Sequence, residues 1–148
     1  MKLFIYYSLS GNGDIVSEYL SKHNIDIRKV ETREPLPKNM ILRILTGGFL
    51  AGINHKDKLI NFDNDVSKYD EVIIGSPIWN GKLACPINTV LDLVNFDNKK
   101  VAFILYSGSG EAPKTNKMLI EKYPEASIIN LKEPSKNKEN MENLLKNI

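Results

Sequence analysis

Leu3-Phe4-Ile5-Tyr6-Tyr7, followed without a break by Ser8-Leu9-Ser10-Gly11-Asn12-Gly13, is the stretch that decides how this chain folds. Five consecutive apolar or aromatic side chains with no polar alternation read as a strand covered on both faces. The next six residues are small, hydroxyl-bearing or turn-forming, and beyond them Ile15, Val16, Tyr19 and Leu20 recur at helical spacing. A helix of about three turns is therefore expected immediately after the turn. A buried strand that passes through a tight polar turn into a helix opens a β-α-β unit, and the rest of the chain repeats that plan.

Ile25 to Val30 reads as a second strand, with Ile25, Ile27 and Val30 facing inward. Val72-Ile73-Ile74 and Val101-Ala102-Phe103-Ile104-Leu105 are again apolar without alternation, the pattern of central strands. The first is expected to end in the turn Gly75-Ser76-Pro77 and the second in Tyr106-Ser107-Gly108-Ser109-Gly110, with helices from Leu83 to Val94 and from Pro113 to Tyr123. Ser127 to Leu131 is a fifth strand, and Lys136 to Lys146 a polar helix with Met141, Leu144 and Leu145 as its apolar positions. Met40, Ile41, Ile44, Leu45, Phe49 and Leu50 suggest one more amphipathic helix, bent at Gly47-Gly48. Strands alternating with helices call for an α/β fold, a doubly wound parallel sheet with helices on both faces and right-handed crossovers.

The 148 residues are expected to form one domain spanning 1–148. Hydrophobic residues at 42% and charged residues at 26% are globular values. Twenty basic against 18 acidic residues leave +2, without the concentrated basic face that nucleic-acid binding needs. The single cysteine, Cys85, excludes an internal disulfide and a multi-cysteine metal site. Leu3 to Tyr7 is too short for a signal-peptide core, and no stretch approaches the ~20 apolar residues of a membrane span, so a cytoplasmic protein is expected.

In an open parallel sheet, ligands bind beyond the carboxyl ends of the strands, where strand order reverses. Three turns there are built for close approach. Ser8 to Gly13 offers two hydroxyls and the backbone N–H groups of a helix start, which bind phosphate without a basic side chain. A triphosphate loop would end Gly-Lys-Ser/Thr, and the dinucleotide fingerprint begun by Gly11 and Gly13 fails at Val16. Without a ligand, the same turn is an ordinary strand-to-helix connection capped by Ser10 or Asn12. Pro77-Ile78-Trp79-Asn80-Gly81 carries the chain's sole tryptophan, able to stack on a planar ligand or to anchor the loop. Asn80-Gly81 tolerates positive φ. Ser107-Gly108-Ser109-Gly110 lets a ligand edge reach backbone, or is simply a flexible loop. A phosphate cradle, an aromatic platform and a low-profile loop on one rim together describe a flavin mononucleotide (FMN) site.

Ser8-x-Ser10-Gly11-Asn12 resembles the Ser/Thr-x-Ser/Thr-Gly-Asn-Thr phosphate loop of the flavodoxin-like FMN proteins. Tyr69 to Trp79 is similar to that family's third strand and flavin-contacting loop, and Val101 to Gly110 to its fourth strand and the loop at the ring's pyrimidine edge. The resemblance implies a five-stranded sheet of order 2-1-3-4-5, noncovalent FMN and electron transfer. It implies that Ser8, Leu9, Ser10, Gly11, Asn12 and Gly13 surround the phosphate, and that Pro77, Ile78 and Trp79 flank the ring. Asn80-Gly81 would present a carbonyl to flavin N5, and Ser107, Gly108, Ser109 and Gly110 would line the polar edge. The chain departs from the family at Gly13, where the last Thr hydroxyl is replaced, and in charge, since electron-shuttling members are strongly acidic.

A redox partner protein or NAD(P)H is the implied partner, with a carrier and an NAD(P)H-dependent flavin or quinone reductase both open; neither nucleic acid nor membrane is expected, and the chain is expected to be a monomer or weak homodimer. An interaction module that kept the fold without the cofactor is the reading from another class. A phospho-receiver domain would need carboxylates at the ends of strands one and three, where Tyr6-Tyr7 and Ile74-Gly75 stand instead. Asp14 is expected to face solvent, away from any phosphate. His23 and His55 lack a second ligand at metal spacing, and Cys85 reads as a packing residue at a helix start.

Overall fold

The structure is a computed structural model and describes residues 1–32, 42, 45–46, 56–146 and 148. Its elements in chain order are β1 (Lys2–Tyr6), α1 (Asn12–Ser21), β2 (Asp26–Lys29), β3 (Glu71–Trp79), β4 (Lys82–Leu83), α2 (Cys85–Leu93), β5 (Lys100–Ser107), α3 (Pro113–Lys122), β6 (Ser127–Lys132) and α4 (Lys138–Leu145). The amphipathic helix expected around Met40 to Leu50 lies outside the described residues apart from Leu42, Leu45 and Thr46, and so does His55.

Five strands run parallel in the order β2-β1-β3-β5-β6, which is the expected 2-1-3-4-5 once the short β4 is set aside. β4 is a sixth strand that the sequence reading lacked. It folds back antiparallel onto β3, pairing Ile78 with Leu83 and Trp79 with Lys82. β3 accordingly continues through Gly75, Ser76 and Pro77, which were expected to form a turn.

Alternate side chains of each central strand enter different cores, because successive residues of a strand point to opposite faces. Leu3, Ile5, Val72, Ile74, Phe103 and Leu105 pack on one face with Ile87 and Val90 of α2 and Leu119 of α3. Phe4, Tyr6, Ile73, Ala102, Ile104 and Tyr106 pack on the other with Val16 and Leu20 of α1 and Met141 and Leu145 of α4. Three layers result. Pro86 and Pro113 sit in the first turns of α2 and α3, where a missing N–H costs nothing.

Two inward assignments change. Ile25 and Val30 are buried, but Ile27 is 37% exposed because β2 is an edge strand and α1 covers only part of it. Met141 and Leu145, four residues apart, face the core, whereas Leu144 is 45% exposed. Among the described residues, no helix is long and apolar enough to cross a membrane.

Candidate functional site

Because β1, β3 and β5 are parallel neighbours, the turns after them emerge side by side at the carboxyl edge of the sheet. The chain leaves β1 for β2 on one side and crosses back to β3 on the other, so the topological switch point lies between β1 and β3.

Gly11 closes the first turn at φ 87°, a conformation open to glycine at little cost, and stands at the N-cap of α1. Among the described residues no side chain caps the helix, so its first-turn N–H groups are left for a ligand or solvent. The Ser8 hydroxyl is buried and has no hydrogen-bond partner among the described residues. Leu9 packs down on the core beneath. The Asn12 side chain turns away from the helix start: its Oδ1 accepts bonds from the Ser135 N–H at 3.0 Å and the Ser135 hydroxyl at 2.8 Å, and its amide reaches Ser10 Oγ at 3.3 Å. Uncapped donors and an orphan buried hydroxyl fit an anion. Leaving that hydroxyl unmet costs about 1–3 kcal/mol.

Gly13 is buried for a reason the sequence did not disclose. A Cβ there would stand 2.5 Å from the Tyr106 hydroxyl and 2.8 Å from the Tyr6 ring. Both tyrosines lie under the turn: Tyr106 donates to the Tyr7 carbonyl, and Tyr6 donates to Asp14 Oδ1 at 2.8 Å. The same carboxylate oxygen accepts from Lys29 Nζ at 2.7 Å. Asp14, expected in solvent, is 44% exposed and held by these two groups. Partial burial pushes its pKa up, but the bonds from Lys29 and Tyr6 outweigh that and leave it below the ordinary carboxylate value. The Ser8 hydroxyl lies close enough to assist that lowering, although it does not meet hydrogen-bond geometry. Burial raises the Tyr106 phenol well above its usual range, so it stays a donor.

The second turn is a hairpin end. Asn80 at φ 49° and Gly81 at φ 71° are both left-handed, the type I′ geometry for which Asn-Gly is the preferred pair. Ser76 Oγ, fully buried, donates to the Pro77 carbonyl and accepts from the Ala84 N–H, tying β3 to the start of α2. Ile78 and Trp79 are partly buried, and Trp79 meets Tyr7 edge-on with ring centroids 5.8 Å apart. Thr115 donates to the Gly81 carbonyl at 2.7 Å, fixing one peptide of the turn next to the Asn80–Gly81 peptide. A groove of about 460 Å³ adjoins this turn, between Lys82 and the Lys114–Met118 stretch of α3. A larger depression, about 830 Å³, lies at the opposite edge of the sheet around Phe96 to Val101, away from all three turns.

The third turn is closed on itself. Ser107 Oγ accepts from the Gly110 N–H at 2.9 Å, Ser109 Oγ accepts from the Glu111 N–H at 3.2 Å, and the Ser107 carbonyl accepts from the Glu133 N–H at 3.0 Å. These hydroxyls shape the loop rather than project from it. Gly108 alone has open space where a side chain would be, whereas Gly110 backs onto Lys132.

The fold thus places all fifteen expected residues on one edge, with Tyr7 touching Trp79 to join the first two turns. Ser135, Thr115 and Lys29 support that edge and were not singled out from sequence. Only Lys29 carried a signal, since it ends the strand beside β1. Cys85 is buried, and desolvation pushes its thiol up to about 11, which removes it from nucleophilic chemistry. Among the described residues, no group of three His, Cys, Asp or Glu could hold a metal.

No curated protein matches the sequence. Among solved structures, a protein of Bacteroides uniformis proposed to be a flavoprotein is similar at 18% identity and TM-score 0.74, over 98% of this chain and 97% of that one. A similarly described protein of Bacteroides eggerthii gives 17% identity and TM-score 0.69, over 97% of each chain. A flavoprotein of Lactobacillus acidophilus, solved in complex with FMN, gives 24% identity and TM-score 0.64, over 93% of this chain and 96% of that one. Identities this low speak for the fold. A family model described as Flavodoxin matches residues 49–148, well over half the sequence, and so the chain belongs to the flavodoxin family.

Proposed function

We propose that this protein binds FMN noncovalently at the carboxyl edge of its sheet and works as a redox protein, with electron transfer to a partner protein as its leading activity. The observation that carries the reading is the Ser8 hydroxyl, buried without a hydrogen-bond partner among the described residues, beside the uncapped start of α1. Membership of the flavodoxin family and the FMN complex of the similar Lactobacillus acidophilus protein support the choice of ligand.

Bound FMN would supply the redox chemistry, taking up and passing on electrons. Ser8 and Ser10 would donate hydroxyls to the phosphate, and the backbone from Gly11 to Gly13 would donate N–H groups reinforced by the helix dipole. Trp79, braced by Tyr7, would flank the ring and shield one face from water. The Asn80–Gly81 peptide would offer its carbonyl to ring N5 when that atom carries a proton, while Thr115 holds the following carbonyl in place. Backbone from Ser107 to Gly110 would run along the ring's polar edge.

The +2 charge favours a second reading, an NAD(P)H-dependent flavin or quinone reductase, because a carrier docking on basic partners would be acidic. Purified protein is expected to be yellow and to release a flavin bearing one phosphate. Stopped-flow mixing with NADPH separates the two activities: a carrier's flavin stays oxidised through the mixing, whereas rapid bleaching identifies the reductase.

A further inference from the structure

Resting on the FMN reading, we infer that Lys29 is a positioning residue for the cofactor's phosphate: it holds Asp14 against Tyr6 and cancels its charge, so that the first turn of α1 accepts a dianion.

Asp14 is the one acidic residue in that first turn, and a phosphate in the Ser8–Gly13 cradle would sit a few side chains away. An unpaired carboxylate at that range would repel the dianion and work against the helix dipole that attracts it. The structure supplies the remedy from a neighbouring strand. In the parallel pairing of β1 with β2, Lys29 stands opposite Tyr6, the last residue of the strand that feeds the turn. Its Nζ reaches Asp14 Oδ1 at 2.7 Å and lies 5.9 Å from the centre of the Tyr6 ring. Tyr6 donates to the same oxygen, and Ser17 Oγ lies 3.2 Å from the Tyr6 hydroxyl, so the carboxylate is fixed from two sides. The pair is half exposed, so solvent and salt screen its field, and its effect on a phosphate is greatest at low ionic strength.

A purely structural tie between α1 and β2 would behave differently from an electrostatic role, and riboflavin, which has the ring without the phosphate, tells them apart. Dissociation constants for FMN and riboflavin are to be measured at low ionic strength for the wild type, K29M, K29R, D14N and the D14N/K29M double variant, with circular dichroism and thermal melting to confirm folding. K29M is expected to weaken FMN about tenfold while riboflavin changes by less than about twofold. K29R should restore FMN binding, the double variant should recover most of the loss, and D14N alone should bind FMN more tightly than the wild type. Should K29M fail to fold, K29Q takes its place, since it keeps a polar side chain without the charge, and equal losses for both flavins in that variant would likewise overturn the role. Equal losses for both flavins in K29M, or D14N leaving FMN affinity unchanged, would overturn the role of Lys29. A wild type that binds neither flavin would overturn the FMN reading itself, and this inference with it.

Discussion

Gly13 lies directly over Tyr6 and Tyr106, with no room for a side chain. Against the family pattern it is a lost hydroxyl; in the structure it is the only residue that fits between the Tyr106 hydroxyl and the Tyr6 ring. Gly13→Thr, which restores the family's side chain, is therefore expected to destabilise the fold by about 1–3 kcal/mol without tightening FMN. Denaturant melts and flavin titration check the two halves. The identity of Gly13 was visible in sequence, but its constraint comes from Tyr106, far along the chain, and no local pattern encodes that contact. The positions of Trp79 and Ser8 at strand ends were legible because each follows an apolar run. Trp79→Ala should weaken flavin binding and alter the flavin's absorbance envelope, and an unchanged spectrum and affinity would remove its stacking role.

At the scale of elements, the β3–β4 hairpin is where local and tertiary signals parted. Gly75 and Pro77 are poor strand formers, so the strand was expected to stop at Ile74. Packing overrides propensity here. A Cβ at Gly75 would stand 2.5 Å from the Phe4 ring, so the glycine makes room for the stacked Phe4–Tyr6 pair on the neighbouring strand. The turn itself was readable, since Asn-Gly announces type I′ geometry, but the two-residue β4 was too short to show a period. Gly81→Ala, at φ 71°, should cost about 1–2 kcal/mol of stability by strain alone. Thr115→Val removes the donor to the Gly81 carbonyl and is expected to cost about 1 kcal/mol. If Thr115 steadies the turn against the flavin, its loss should also shift the flavin's reduction potential, which spectroelectrochemical titration reads directly.

For the molecule as a whole, strand order was legible because buried runs without alternation, each followed by a helix, leave few topologies. The edge strand was harder, because β2 is half covered and its Ile27 looks outward. Cys85 and Asp14 are among the groups that tie stability to pH. The Cys85 thiol is raised from an ordinary 9.0 to about 11, so its contribution is whole below about 9 and fades as pH climbs toward about 11. Native protein at neutral pH should accordingly resist a thiol-exchange reagent that labels the unfolded chain at once. Asp14 is lowered, so its contribution is present above the ordinary carboxylate range and fades as pH falls through the lowered value. Its exposure keeps that contribution small.

On the proposed reading, a lysine-free turn grips a phosphorylated flavin beside the only indole in the chain. Titrating flavin-free protein with FMN while following tryptophan emission tests it most directly, because Trp79 is the sole source of that signal. Saturable quenching at one FMN per chain is expected, with riboflavin needing a much higher concentration. Emission that stays flat, or falls without saturating up to millimolar FMN, would contradict it.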